Sequence, residues 1–134
     1  MQKNIIIQSE IGNLRLVEKA IDDISSELGI SQDNYGKIMV STMEAVNNAI
    51  VHGNKSISSR IVRIEIIHKN KILVISVEDE GQGFRPEEIP DPTKLENIQN
   101  ISGRGVFLMT RLADKIEFNE KGNRVTMSFK DLKT

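Results

Sequence analysis

Residues 44–53 read Glu44-Ala45-Val46-Asn47-Asn48-Ala49-Ile50-Val51-His52-Gly53, and they carry polar groups on one face of a strong helical pattern. Side chains four residues apart share a helix face. At about 100° per residue, five polar side chains form one stripe: Lys37, Ser41, Glu44, Asn48 and His52. Where a carboxylate lies one turn from an amide, the carboxylate can hold a proton and the amide oxygen can hold a metal ion. A solvated helix face would show the same pattern, so the stripe alone does not decide the function.

The bulk composition predicts one soluble domain over residues 1–134. The net charge is −1, which gives no electrostatic case for a nucleic-acid or anionic-membrane partner. There are no cysteines, which excludes disulfides and thiolate chemistry and is compatible with the cytoplasm. No segment approaches the roughly 20 apolar residues of a membrane span. We therefore expect a cytoplasmic protein with neither nucleic acid nor membrane as its partner.

Hydrophobic periodicity predicts the order β-α-α-β-β-loop-α-β-β. The predicted elements are a strand over 4–8, helices over 11–28 and 32–53, strands over 59–68 and 72–77, a loop over 85–102, a helix over 103–113, and strands over 115–119 and 124–130. Ser9 and Ser31 are the expected helix caps, and Gly29 the expected stop. This order fits an α+β fold, a two-layer sandwich with its helices on one face of a mixed, mostly antiparallel sheet.

The first glycine motif, Asp79-Glu80-Gly81-Gln82-Gly83, follows a buried strand. Glycines let a ligand approach the backbone closely, and a carboxylate at a strand end can accept hydrogen bonds from an exocyclic amine. The motif is not a dinucleotide fingerprint, because the third glycine is missing and Pro86 stands where a helix should start. It lacks the lysine of a P-loop as well. A glycine-rich hairpin turn remains the alternative.

The second glycine motif, Ser102-Gly103-Arg104-Gly105, is predicted to be a loop that leads into a helix. Free N–H groups at a helix N-terminus bind anions, and glycine lets phosphate reach them. The plain alternative is a flexible helix cap.

Three motifs in this order, Glu44-x-x-x-Asn48, Asp79-x-Gly81-x-Gly83 and Gly103-x-Gly105, resemble those of the GHKL ATPases. Over nearly its full length the chain is similar to the single-domain members of that superfamily, the bacterial anti-sigma-factor serine kinases. The similarity is strongest over residues 44–53 and over residues 103–109 with the Leu-Ala-Asp that follows at 112–114. The resemblance implies an ATP- and Mg²⁺-binding kinase.

The resemblance also implies roles for individual residues at the phosphate end. Glu44 would be the general base, and Asn48 would be the protein ligand of Mg²⁺. Gly103 and Gly105 would present backbone N–H groups to the phosphates. Arg104 or Lys94 would neutralise charge on the terminal phosphate, although side chains of this kind are more often simply solvated. The segment 85–102 would be the lid.

At the adenine end, the resemblance implies that Asp79 accepts the N6 hydrogens while Gly81 and Gly83 let the base pack closely. Thr126, on the last strand, would assist through its hydroxyl, or it would be an ordinary strand threonine.

The resemblance finally implies partners. The expected function is phosphorylation of a serine on a STAS-type anti-anti-sigma protein, together with binding of a sigma factor, by a homodimer. The alternative is a nucleotide-responsive binding module whose catalysis is weak or dispensable. An intact Glu44 favours the kinase, because a pure binder needs no base.

Overall fold

The computed structural model describes residues 1–81 and 101–134, with only the backbone given for residues 101–104. The elements are β1 (Gln2–Gln8), a 3₁₀ turn (Ile11–Asn13), α1 (Leu14–Leu28), α2 (Gln32–Asn48), a π-helical turn (Ala49–Gly53), β2 (Ile61–Lys69), β3 (Ile72–Glu78), α3 (Ile101–Leu112), β4 (Lys115–Phe118) and β5 (Arg124–Phe129). This order confirms the predicted succession of strands and helices.

The five strands form one sheet in the order β1-β2-β3-β5-β4. All four neighbouring pairs are antiparallel, whereas the sequence predicted a mixed sheet. The difference arises because β5 lies between β3 and β4. These two strands run in the same direction on either side of α3, as in a split β-α-β unit. β3 and β4 are therefore parallel to each other, but within residues 1–81 and 101–134 no parallel pair of strands is hydrogen-bonded.

The core lies between one face of the sheet and the helices, which confirms the α+β two-layer class. Burial alternates along β2 and β5, as expected when only one face of a sheet is covered. The largest fully buried side chains come from the three helices, the π-helical turn and three of the strands: Val17, Ile21, Ile38, Val46, Ile50, Val62, Ile64, Ile66, Leu73, Ile75, Met109 and Met127. Burying one such side chain contributes about 1.5–3 kcal/mol. The core thus fixes how the ends of α2, β3 and α3 meet.

Local signals account for most of the helix ends. Gly29 ends α1 in the left-handed conformation with φ 65°, as expected of a glycine stop. Ser31 caps α2, because its Oγ accepts the amide of Asn34 at 3.3 Å. The prediction that Ser9 caps α1 was wrong. Its buried Oγ donates to the carbonyl of Arg60 at 2.7 Å, so it joins the ends of two strands instead.

Candidate functional site

The candidate site begins where α2 stops being an α-helix. α2 ends at Asn48 and Ala49–Gly53 forms a π-helical turn, whereas the sequence predicted one α-helix through to residue 53. The amide of Asn54 donates to the carbonyl of Ala49 at 2.8 Å, five residues back instead of four. Periodicity cannot predict such a turn, because one wider turn barely moves the apolar stripe. π turns are frequent at functional sites.

Gly53 and Gly81 leave room for the carboxylate of Asp79. A Cβ atom on Gly53 would lie 2.7 Å from Oδ1 of Asp79 and closer still to Cγ and Oδ2. A Cβ atom on Gly81 would lie 2.7 Å from the carbonyl carbon of Gly53 and 2.9 Å from Oδ1. No side chain fits at either position without displacing its neighbours. The end of the α2 segment and the first glycine motif are therefore in direct contact.

Asp79 is held by its backbone and by one carboxylate oxygen. Its N–H donates to the carbonyl of Asn123 at 2.9 Å, and its own carbonyl accepts from Nδ2 of Asn123 at 2.9 Å. Oδ1 accepts the amide of Gly81 at 2.7 Å. Burial raises the pKa of the Asp79 carboxyl, against the lowering effect of the Gly81 amide. Within residues 1–81 and 105–134, no hydrogen bond reaches Oδ2, which leaves this oxygen as an acceptor for a ligand.

The side chain of Asn48 lies against the second glycine motif. A Cβ atom on Gly105 would overlap Nδ2 of Asn48 and lie 3.2 Å from its Cγ. Gly105 is buried on α3, so a side chain there could not turn to solvent. The Glu44-x-x-x-Asn48 motif therefore contacts the second glycine motif. Together, α2 and the π-helical turn that continues it contact both glycine motifs.

The chemistry of this end of α2 fits a hard cation. Oδ1 of Asn48 is buried and has no hydrogen-bond partner in the described part of the chain. An unpaired buried oxygen is costly unless a ligand completes it, and Mg²⁺ takes oxygen ligands while keeping several waters. Glu44, half-buried, lies one turn earlier on the same face. His52, one turn later, also has a buried and unpaired Nε2, and burial lowers its pKa.

α3 begins at Ile101, which places Gly103 and Gly105 inside the helix and not in a loop before it. The expectation of a glycine loop at this position was wrong. The first four N–H groups of a helix have no partner within it, so the amide of Gly103 is among those free to meet an anion. Gly105 lies beyond them, and its close approach to Asn48 is the stronger reason for a glycine there.

Thr126 does not contact Asp79 in the described residues. Its Oγ1 lies 3.1 Å from Oγ of Ser76, its cross-strand partner. Along β5, Val125 and Met127 point into the core, so Thr126 lies on the opposite face of the sheet. Its role at adenine stays a prediction. Gly83, Lys94 and residues 85–100 of the expected 85–102 lid fall outside the described residues, as does the side chain of Arg104. Residues 101 and 102 of that segment lie at the start of α3 and not in a loop.

Three residues contribute contacts to the site that the sequence did not predict. Gly53 closes the predicted helix over 32–53, Asn54 follows it, and Asn123 lies between the last two predicted strands. The signal available in the sequence was the short His-Gly-Asn run at residues 52–54. Glycine and asparagine can end a helix, and glycine also lets another part of the chain approach the backbone closely.

Residues 1–81 and 101–134 contain no cluster of three or more His, Cys, Asp or Glu side chains suited to a metal ion. None of the helices described is both long and apolar enough to span a membrane.

Comparison with known proteins identifies the family. Residues 7–129 match the family described as the histidine kinase-like ATPase domain. The anti-sigma F factor of Clostridium perfringens is 33% identical over 136 residues, which cover 97% of this chain and 95% of that protein. The anti-sigma F factor of Geobacillus kaustophilus is 30% identical over 104 residues, with 75% of this chain and 70% of that protein covered.

A solved structure shares the fold. The RsbU and RsbW domains of Rv1364c from Mycobacterium tuberculosis superpose with a TM-score of 0.66 at 18% identity, covering 97% of this chain. The present chain spans only 32% of that longer chain. The matching region, the motif order and the contacts between motifs lead to one conclusion: the chain belongs to the histidine kinase-like ATPase domain family and is an anti-sigma-factor kinase-like GHKL protein.

Proposed function

We propose that the chain binds Mg²⁺-ATP between α2, the Asp79–Gly81 turn and α3, and transfers the terminal phosphate to a serine of a STAS-type anti-anti-sigma protein. The observation that carries the proposal is that Gly53, in the π-helical turn after α2, contacts the first glycine motif while Asn48, at the end of α2, contacts the second. In this proposal the protein works in the cytoplasm and also binds a sigma factor. The anti-sigma F factors to which it is similar support the sigma-factor partner.

In the proposed mechanism, each part of the pocket has one task. Oδ2 of Asp79 accepts the adenine amine, since Oδ1 already accepts the Gly81 amide. The unpaired Oδ1 of Asn48 would hold Mg²⁺, which would supply positive charge to neutralise the phosphates. The N-terminal amides of α3, including that of Gly103, face the phosphates, while Arg104 and Lys94 remain candidates for the charged contact.

Glu44 takes the proton of the attacking serine hydroxyl. The serine oxygen forms a bond to the terminal phosphorus as the bond from phosphorus to the bridging oxygen breaks, and ADP leaves with that oxygen. A positioned general base typically contributes 10²–10⁴-fold to the rate. Positioning and charge neutralisation must supply the remaining acceleration.

Incubation with Mg²⁺, labelled ATP and a STAS-domain protein tests the proposal directly. We expect phosphoserine on the STAS protein, and a rate lowered by about 10²–10⁴-fold in Glu44→Ala. Glu27→Ala, which changes an exposed carboxylate on α1, is the matched control and should retain the rate. A wild-type protein that binds ATP but leaves every STAS serine unmodified would contradict the kinase. Retained partner binding in that case would favour the nucleotide-responsive module.

We further propose that the protein is a homodimer. β1 lies at the edge of the sheet, and its Ile6 is 59% exposed. An uncovered apolar residue on an edge strand suits association with another chain. Light scattering should give about twice the chain's 15.1 kDa mass, and Ile6→Lys should shift the protein toward monomer. A wild-type mass of one chain would contradict the dimer.

A further inference from the structure

Asn54 is fully buried, and its side chain joins three separate segments of the chain. Its Nδ2 donates to Oγ of Ser9 at 2.8 Å and to the carbonyl of Ile61 at 2.9 Å. Its Oδ1 accepts the amide of Glu80 at 2.7 Å. The partners fix the orientation of the carboxamide, because the carbonyl of Ile61 requires a donor and the Glu80 amide requires an acceptor. The relative exposure of Asn54 is 0%, so water cannot replace these bonds.

Glu80, the middle residue of the Asp79–Gly81 turn, is held a second time by its own side chain. Oε1 of Glu80 accepts the amide of Ile61 at 2.6 Å. Ile61, at the start of β2, therefore holds the side chain of Glu80, while the side chain of Asn54 holds the backbone of the same residue. The turn that carries the adenine acceptor is fastened to the segment just after the π-helical turn.

The strand pairing cannot provide this attachment. The register between β2 and β3 ends with Arg63 opposite Glu78, one residue before Asp79. On the β5 side, Asn123 continues the contact through its backbone and side chain. On the β2 side, the hydrogen bonds of Asn54 and Glu80 replace the missing ladder. Without them the turn would be held from one side only.

We propose that Asn54 is a positioning residue for base recognition: it holds the Asp79–Gly81 turn so that the free carboxylate oxygen of Asp79 meets the exocyclic amine of adenine. The inference rests on the proposed ATP site and adds a determinant of its selectivity. Asn54 acts through Asp79 and does not itself touch the nucleotide. Its loss should thus weaken only the part of the affinity that comes from the amine.

Two nucleotides isolate that part of the affinity: ATP, and purine riboside triphosphate, which lacks the exocyclic amine. A charge-assisted hydrogen bond should make the wild-type protein prefer ATP by about 10- to 100-fold. In Asn54→Ala we expect calorimetry to give a preference reduced to a few-fold, with little change for the analogue. In an Asp79→Asn background, adding Asn54→Ala should change ATP affinity less than two-fold, since the two residues act in series.

Asn34→Ala is the matched control, because Asn34 also joins separate backbone segments. Its Nδ2 donates to the carbonyls of Asp131 and Leu132 at 2.8 and 3.1 Å, near the start of α2. This variant should lower the melting temperature and leave the preference for ATP unchanged. If Asn54→Ala does not fold, Ser9→Ala removes one acceptor of the Asn54 amide. It should reduce the preference for ATP by a smaller factor.

Amide hydrogen exchange gives a readout that needs no nucleotide. The Glu80 amide should exchange faster in Asn54→Ala than in the wild type, because this variant removes the acceptor of that amide. Ser9→Ala, which removes only one acceptor of the Asn54 side chain, should give a smaller increase. A folded variant that keeps the full preference for ATP, or one that weakens ATP and the analogue equally, overturns the positioning role while the proposed kinase stands. A wild-type protein that binds neither nucleotide refutes the proposed function itself, and the role in base recognition with it.

Discussion

The two ends of α2 differ in how completely their polar groups are satisfied. At its start, Ser31 accepts the Asn34 amide, and Asn34 in turn donates to the carbonyls of the C-terminal segment. At its end, the helix widens into a π turn, and two buried polar atoms, Oδ1 of Asn48 and Nε2 of His52, have no partner in the described residues. The first arrangement contributes stability. The second leaves buried polar atoms that a ligand can satisfy, as expected of a binding site.

The backbone just after the π-helical turn also departs from local preference. Lys55 and Ser56 both adopt left-handed conformations, with φ of 55° and 56°. Such conformations cost free energy in residues other than glycine and persist only where the surrounding structure imposes them. Here Asn54 and the contact between Gly53 and Asp79 impose the path of the chain. The backbone after the site end of the helix is therefore held by tertiary contacts, whereas the start combines the local cap of Ser31 with the bonds from Asn34 to the C-terminal segment.

Gly53→Ala should have the largest effect on this contrast. The added Cβ would overlap the Asp79 carboxylate, and overpacking of this kind costs about 1–3 kcal/mol of unfolding free energy. Displacement of the carboxylate should also lower ATP affinity by about 10- to 100-fold. Chemical denaturation and calorimetry measure the two effects. Unchanged ATP binding in a folded variant would show that the contact between Gly53 and Asp79 has no part in the site.

Lowering the pH should weaken nucleoside binding through Asp79. Burial raises the pKa of this carboxyl, so the acceptor becomes protonated at a higher pH than an ordinary aspartate would. The effect on folding has the opposite sign. A pKa raised in the folded state means that the charged carboxylate costs stability above that pKa, and this cost disappears as the pH falls through it.

Adenosine is the best probe of this pH effect, because it has no phosphates to titrate. Its affinity, measured by calorimetry at neutral and at mildly acidic pH, should fall on acidification in the wild type. In Asp79→Asn the affinity should already be low and should no longer depend on pH. A wild-type affinity that is constant over the same range would remove the Asp79 carboxylate from base recognition.

Ser31→Ala should affect only the stable end of α2. Loss of a serine cap costs about 0.5–2 kcal/mol, and the cap lies at the opposite end of the helix from Asn48. Thermal denaturation should show the loss, and Ser31→Thr should restore most of it. ATP affinity should stay within two-fold of the wild type. A larger change in affinity would mean that the two ends are coupled through the helix.

Gly36→Ala should have the smallest effect, with the opposite sign. Gly36 lies within α2, and a Cβ atom there would meet no atom within 4 Å. Replacing a glycine in a helix interior by alanine should stabilise the protein by about 0.5–1 kcal/mol. The same substitution therefore stabilises near the start of α2 and destabilises at Gly53. Destabilisation at both positions would show that open space near Gly36 is not what distinguishes them.

Much of the fold follows from the sequence because its signals are local. The alternation along β2, the serine cap and the glycine stop each depend on a few neighbouring residues. The three motifs were recognised for the same reason, since each is a short run with its own spacing. Ser9 shows where local reasoning fails. Serine is a good helix cap, but burial against Arg60 gave its hydroxyl a different partner.

The sequence by itself determined the order of the elements, the apolar face of each one and the family to which the three motifs belong. Only the tertiary structure decided that Gly53 faces Asp79, that Gly105 faces Asn48 and that Asn54 holds the turn at Glu80. These contacts join residues far apart along the chain. They exist because the packing of α2 and α3 on the sheet leaves room for a carboxylate and an amide but for no additional side chain.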